Sequence, residues 1–118
     1  MNYVDGFILP VPTAKLDAYW ALARLTSTIW REHGALEYRE GIADDVKPGK
    51  VTSFPQAVLL KDDETVIFAW AVYRSREHRD EVMAKVMADP RMSNLKPEDM
   101  PFDGQRMFWG GFKTVISD

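Results

Sequence analysis

His33 and His78 are the only side chains in this 118-residue chain whose unperturbed charge changes near neutral pH, so acid–base chemistry is sought there first. His78 lies in Tyr73-Arg-Ser-Arg-Glu-His-Arg-Asp80, at the predicted start of a helix. Free backbone amides at a helix N-terminus combined with guanidinium groups bind anions, which makes Arg74, Ser75, Arg76, His78 and Arg79 a candidate anion site. The same residues also fit a solvated helix face with Arg76 and Asp80 as an i, i+4 pair. His33 falls in the last turn of another predicted helix, where a partly positive imidazole is favoured by the helix dipole alone. The four tryptophans, Trp20, Trp30, Trp70 and Trp109, form the second set. Trp20 and Trp30 share one helix and project about 80° apart. A groove between that helix and a sheet would be lined by Tyr19, Trp20, Ala23 and Trp30 from above. Phe68 and Trp70, or their neighbours on the opposite face, would line it from below, with His33 as a polar group at its end. Aromatic core packing accounts for the same residues without a ligand.

The remaining chemistry is bounded by what is missing. There are no cysteines, which excludes disulfides, thiolate metal sites and a cysteine nucleophile and suits a reducing, cytoplasmic setting. There is no His-Glu-x-x-His, phosphate-binding glycine loop, dinucleotide fingerprint or Gly-x-Ser-x-Gly elbow, and the acidic turns at Asp44-Asp45 and Asp62-Asp63-Glu64 lack calcium-loop spacing. The expectation is therefore no metal and no cofactor. A formal charge of −3 argues against a broad electrostatic grip on nucleic acid or anionic lipid. No basic-then-apolar leader follows Met1 and no apolar run approaches 18 residues, so a soluble intracellular protein with no membrane partner is expected.

These residues are positioned by elements that the patterning makes legible. Glu64 to Tyr73 alternates with Val66, Phe68, Trp70 and Val72 on one side and Ile67, Ala69, Ala71 and Tyr73 on the other, a strand that is apolar on both faces. Tyr3 to Val11 is a second such strand, stopped by Pro10 and Pro12, with Thr13 placed to cap the helix that follows. That helix runs over Ala14 to His33, with apolar residues at helical spacing, and Gly34 ends it as a left-handed cap. Leu36 to Asp44 reads as an edge strand, with Leu36, Tyr38 and Ile42 opposed to Glu37, Arg39 and Ala43. Pro48, Gly49 and Pro55 make residues 45–60 irregular, with a short helical turn within Phe54 to Leu60. Ser75 caps a helix over Arg76 to Ala88 that Asp89-Pro90 closes. Pro97 to Gly104 is turn chemistry, and Arg106 to Ile116 forms a last strand with a paired Gly110-Gly111 that marks a bulge or close packing. Asp5, Asp103 and Arg106 flank apolar strands, where buried charges require partners, and an Asp5–Arg106 pair across the sheet is the expectation.

The order β-α-β-β-α-β predicts one α+β domain over residues 1–118. It is the ferredoxin-like arrangement, a four-stranded antiparallel sheet with two helices on one face. Its second apolar face then needs a cover this chain cannot supply, so the expected partner is a second copy, two sheets meeting as a dimeric α/β barrel. Tyr3-Val-Asp-Gly-Phe7, Ser53-Phe-Pro55, Phe68-Ala-Trp70, Asp89-Pro-Arg-Met92, Met100-Pro-Phe-Asp-Gly-Gln-Arg-Met107 and Gly110-Gly-Phe112 carry a further resemblance. With them the chain resembles the YbaA-like family of small bacterial proteins, within the dimeric α/β barrel superfamily. The resemblance implies the fold and the dimer and brings no catalytic residues. The asparagine, tryptophan and histidine set used by cofactor-free oxygenases of that superfamily is not matched, because Asn2 and Asn94 fall outside the required faces.

Two function classes follow. A homodimeric binding module for a small apolar or aromatic molecule needs only the aromatic groove. A cofactor-independent oxygenase-like or isomerase-like enzyme also needs titrating groups in that pocket, for which His33, His78, Glu37 and Tyr38 are the candidates. RNA binding is opposed by the acidic charge and the lack of an RNP-like strand.

Overall fold

The computed structural model describes residues 1–118. Strand β1 (Tyr3–Pro12) leads through a single 3-10 turn into helix α1 (Leu16–Glu32), then strand β2 (Glu37–Ile42), a short helix α2 (Phe54–Ala57), strand β3 (Glu64–Tyr73) and helix α3 (Arg76–Ala88). Helix α4 (Pro90–Ser93) and strand β4 (Phe108–Lys113) complete the chain. The sheet order is β2-β3-β1-β4 and every pairing is antiparallel, the ferredoxin-like arrangement expected from the element order. The strand that begins the chain therefore lies inside the sheet, hydrogen-bonded to β3 on one side and to β4 on the other.

The helix ends follow their local chemistry. The Ser75 hydroxyl accepts from the His78 amide at 3.0 Å and starts α3. Gly34, at φ 116°, ends α1, while the Ala35 amide closes back onto the Trp30 carbonyl at 3.0 Å. Thr13 does not cap α1; its amide and hydroxyl both donate to the Asp63 carbonyl, because the chain spends one 3-10 turn here before the helix begins.

Buried residues divide between the two sheet faces. On the helix-covered face, Tyr3, Ile29, Trp30, Ala71, Tyr73, Val82 and Val86 pack at one end, and Leu9, Val11, Tyr19, Ala23 and Ile67 at the other. Each fully buried valine or isoleucine contributes roughly 1.5–3 kcal/mol. Within the Gly110-Gly111 pair it is Gly111 that permits close packing, since a Cβ there would overlap the Tyr3 ring. On the opposite face Ile8 and Val66 are covered by Val58 and the segment around α2, and Pro10 and Val72 are also buried. Phe68, Phe108 and Phe112 on that face remain 42%, 46% and 67% exposed.

The buried charges pair differently from the expected Asp5–Arg106 bridge. Asp5 is fully buried and accepts from Arg79 Nη1 at 2.7 Å. Arg79 reaches it from the first turn of α3 and lies over the Tyr3 ring, 5.1 Å from its centroid. Burial pushes the Asp5 carboxyl above its ordinary value of 3.8 against the pull of Arg79. Arg106 instead forks onto Glu64, Nη1 to Oε1 at 2.7 Å and Nη2 to Oε2 at 2.6 Å, and also holds Asp103 at 2.9 Å and the Leu59 carbonyl at 3.1 Å. Leu59 is the one non-glycine residue at positive φ, 50°, so the guanidinium pins a strained loop to the start of β3.

Candidate functional site

One row of side chains crosses the helix-covered face of the sheet. Glu40 on β2 stands opposite Ala69 on β3, Ala69 opposite Phe7 on β1, and Phe7 opposite Trp109 on β4. Three of the four are large and the one methyl group, Ala69, sits between them. Above this row, Tyr19, Ala23 and Trp30 project from α1 at spacings of four and seven, one helical face. Ala23 from the helix and Ala69 from the sheet both line the space between them, and neither short side chain fills it. A cavity of about 310 Å³ results. Its far wall is soft. Met83 and Met87 come from α3, Met92 from α4, and Met100 and Met107 from the segment before β4, so five of the chain's six methionines line it. Unbranched thioether chains adapt to differently shaped apolar bodies. Of the 18 lining residues 16 are hydrophobic, and the other two are Thr26 and Glu40.

Glu40 is held by two phenols. The Tyr38 hydroxyl donates to Oε2 at 2.8 Å, and the Tyr19 hydroxyl donates to Oε1. Burial, and then the adjacent Glu40 carboxylate, push both phenols far above the ordinary tyrosine value. They remain protonated and act as donors. Trp30 packs against Tyr38 with ring centroids 5.9 Å apart, and its indole N–H donates to the Tyr73 hydroxyl at 3.1 Å, which fixes the ring.

The aromatic set read from the sequence is split by this geometry. Tyr19 and Trp30 line the cavity. Trp20, one residue along the helix, turns outward and lines an open groove between α1 and β2 with Arg24, Thr28, Tyr38 and Glu40. Phe68 and Trp70 lie on the other side of the sheet, 5.4 Å from each other, because their register partners Ile8 and Gly6 are on the face away from the helices. Their alternate neighbour Ala69 is the β3 residue that reaches the cavity. His33 does not close the groove; it is the C-cap residue of α1 and its Nε2 lies 2.8 Å from Asp89 Oδ2 at the end of α3. No histidine lines the cavity, so its chemistry cannot rest on an imidazole. Glu37, also a titrating candidate, is exposed on the opposite strand face and pairs with Arg39 at 3.6 Å.

The five residues of the anion candidate do not converge either. The Ser75 hydroxyl already takes one free amide of α3, the His78 Nδ1 accepts from the Arg74 amide at 2.9 Å, and Arg79 is turned inward to Asp5. His78 is buried, and burial followed by Arg74 holds its pKa below the ordinary 6.5. Arg74, Ser75 and Arg76 are exposed to solvent, and of these the Ser75 hydroxyl is already engaged as the helix cap.

Glu40 and the methionines were not among the residues singled out from the sequence. Glu40 shares strand parity with Tyr38 and Ile42, so an acid in the apolar register of an edge strand was the available signal. The methionines carried a second one, all five falling between positions 83 and 107.

Comparison with known proteins places this geometry in a family. The chain is 47% identical over 118 residues to the Escherichia coli (strain K12) protein described as "Uncharacterized protein YbaA", covering all of both chains, and matches its Shigella flexneri counterpart equally. Among solved structures it resembles a dimeric ferredoxin-like protein from an uncultured marine organism, with a TM-score of 0.61, 7% identity and 100% of each chain covered. A NIPSNAP family protein from Agrobacterium tumefaciens gives a TM-score of 0.59 at 15% identity, over 98% of this chain and 89% of that one. At these identities the structural likenesses speak for the fold alone. Residues 2–104 match the family described as "Protein of unknown function (DUF1428)", and with the full-length match to YbaA the chain belongs to that family.

Proposed function

We propose that this chain acts as a single domain in a homodimeric binding module for a small apolar or aromatic molecule. The observation that carries the reading is the cavity of about 310 Å³ between α1 and the sheet, 16 of whose 18 lining residues are hydrophobic. Ligand pockets typically begin near 300 Å³ and combine apolar walls with a few polar groups, here Glu40 and Thr26. A dry apolar cavity of about half that size already accepts benzene.

The homodimer is supported by the uncovered face. Phe68, Phe108 and Phe112 stand exposed beside half-buried Val4 and Trp70, a contiguous apolar surface of the kind that marks an interface. The marine ferredoxin-like structure of the same fold is described as dimeric. A second copy meeting this face would close the two sheets into a barrel and remove roughly 800 Å² per partner, the size of a stable interface. No helix is long and apolar enough to cross a membrane, and the lack of cysteine supports a cytoplasmic setting.

Native mass spectrometry of the purified protein tests both parts. The expected result is a species of twice the 13.5 kDa chain mass that takes up an alkylbenzene probe, one molecule per subunit. A monomer at micromolar concentration defeats the first part, and a dimer that takes up no apolar probe defeats the second.

A further inference from the structure

Glu40 is the only charged side chain in the cavity wall. A carboxylate beside apolar space requires compensation, and the groups that hold this one supply hydrogen bonds without charge. Tyr19 and Tyr38 each give it one hydroxyl, which leaves lone pairs on both oxygens. No lysine, arginine or histidine lines the cavity, Arg39 pairs with Glu37, and Arg24 on the outer groove forms no ion pair. The cavity wall therefore has one negative charge and no positive one, and Arg24 is the one cation among the residues of the outer groove.

The placement of Glu40 adds a direction. Ala23, Tyr38 and Glu40 line both the interior cavity and the open groove that holds Trp20 and Arg24, so the carboxylate stands where the two meet. A cationic head bound there keeps part of its hydration toward the groove while its apolar body enters the methionine-lined interior. This lowers the desolvation cost that a fully enclosed ion pair carries. The rings of Tyr19, Trp20, Trp30 and Tyr38 around the carboxylate add faces that attract organic cations.

We propose that the ligand of this cavity is an apolar molecule ending in an organic ammonium group, with Glu40 balancing its charge and the methionine-lined chamber holding its body. The proposal rests on the apolar-binding reading and narrows it.

Three probes of one shape separate the two: 4-phenylbutylamine, 4-phenylbutan-1-ol and 4-phenylbutyrate, titrated calorimetrically into the wild-type protein at pH 7 and low salt. The amine should bind roughly tenfold to hundredfold tighter than the alcohol, the usual worth of a hydrogen bond to a charged group. The acid should bind weakest. Glu40→Gln should bring amine and alcohol to within about twofold, and the wild-type ranking stands as a test even if that variant fails to fold. Equal binding of amine and alcohol, or tightest binding of the acid, overturns the ammonium assignment and leaves apolar binding intact. Binding of none of the three overturns both.

Discussion

Ala69→Ile tests whether the space between helix and sheet is real. The Ala69 methyl is buried on the cavity floor between Phe7 and Glu40, and isoleucine adds three carbons pointing into the chamber. At about 0.8 kcal/mol for each carbon removed from water the gross gain is roughly 2.4 kcal/mol. Fixing the isoleucine side chain costs about 0.5–1 kcal/mol, which leaves a net stabilisation of about 1.5 kcal/mol. For a chain of this length that corresponds to a rise in Tm of about 4–8 °C. Differential scanning calorimetry and urea unfolding read the change, and the same variant should lose at least tenfold in affinity for the phenylbutyl probes because the floor has risen. The sign is the decisive part. In a close-packed core the added carbons would force side chains off their rotamers and cost about 1–3 kcal/mol. A variant destabilised by that amount would refute the cavity and with it the binding reading.

Four further outcomes are expected. Phe68→Glu, on the uncovered sheet face, should convert the proposed dimer to a monomer in sedimentation velocity without unfolding it; a variant that stays dimeric removes that face from the interface. Arg106→Met should destabilise the chain by about 3 kcal/mol or more in urea unfolding, because Glu64 is left buried without its fork, and a loss below 1 kcal/mol would show the pair to be dispensable. Arg91 and His33 hold the Asp89 carboxyl below its ordinary 3.8, so its contribution is present above that pH and lost as pH falls through the lowered value; Asp89→Asn should flatten the acid limb of the stability curve. His78, held below its ordinary 6.5, contributes in the same sense, with stability falling as pH drops below 6.5, and His78→Gln should remove that slope.

How far the sequence foretold these positions depends on the range of the determining contact. Strand β3 was legible to the residue because alternation and its charged and cap-forming borders are local, and α3 likewise because Ser75 and Asp89-Pro90 mark both ends. Which face of β3 meets the helices was not legible, since both faces are apolar and only the handedness of the crossovers decides; Phe68 and Trp70 were therefore as plausible a floor as Ala69. That Asp5, if buried, would need a partner was foreseen, but the partner comes from a helix lying across the sheet, and nothing local places Arg79 over Tyr3. Glu40 was readable in principle, from its parity with Tyr38, yet an acid on an edge strand is ordinarily wet. The strand read Arg106 to Ile116 shortens to Phe108–Lys113, because β1 offers β4 partners only from Tyr3 to Ile8.

The inner position of β1 has a consequence for how the protein is made. Strand β1 is made before both of its neighbours and waits for β3 to cover one edge and for β4, about a hundred residues on, to cover the other. The mean separation of contacts is therefore long, and the pairing that completes the sheet closes a loop of about a hundred residues, which folding pays for before any contact rewards it. Until β4 emerges, the nascent chain carries an apolar strand with one open edge, a template for pairing with another nascent copy on the same message. A protein built this way is expected to depend on chaperone protection during synthesis more than its small size suggests.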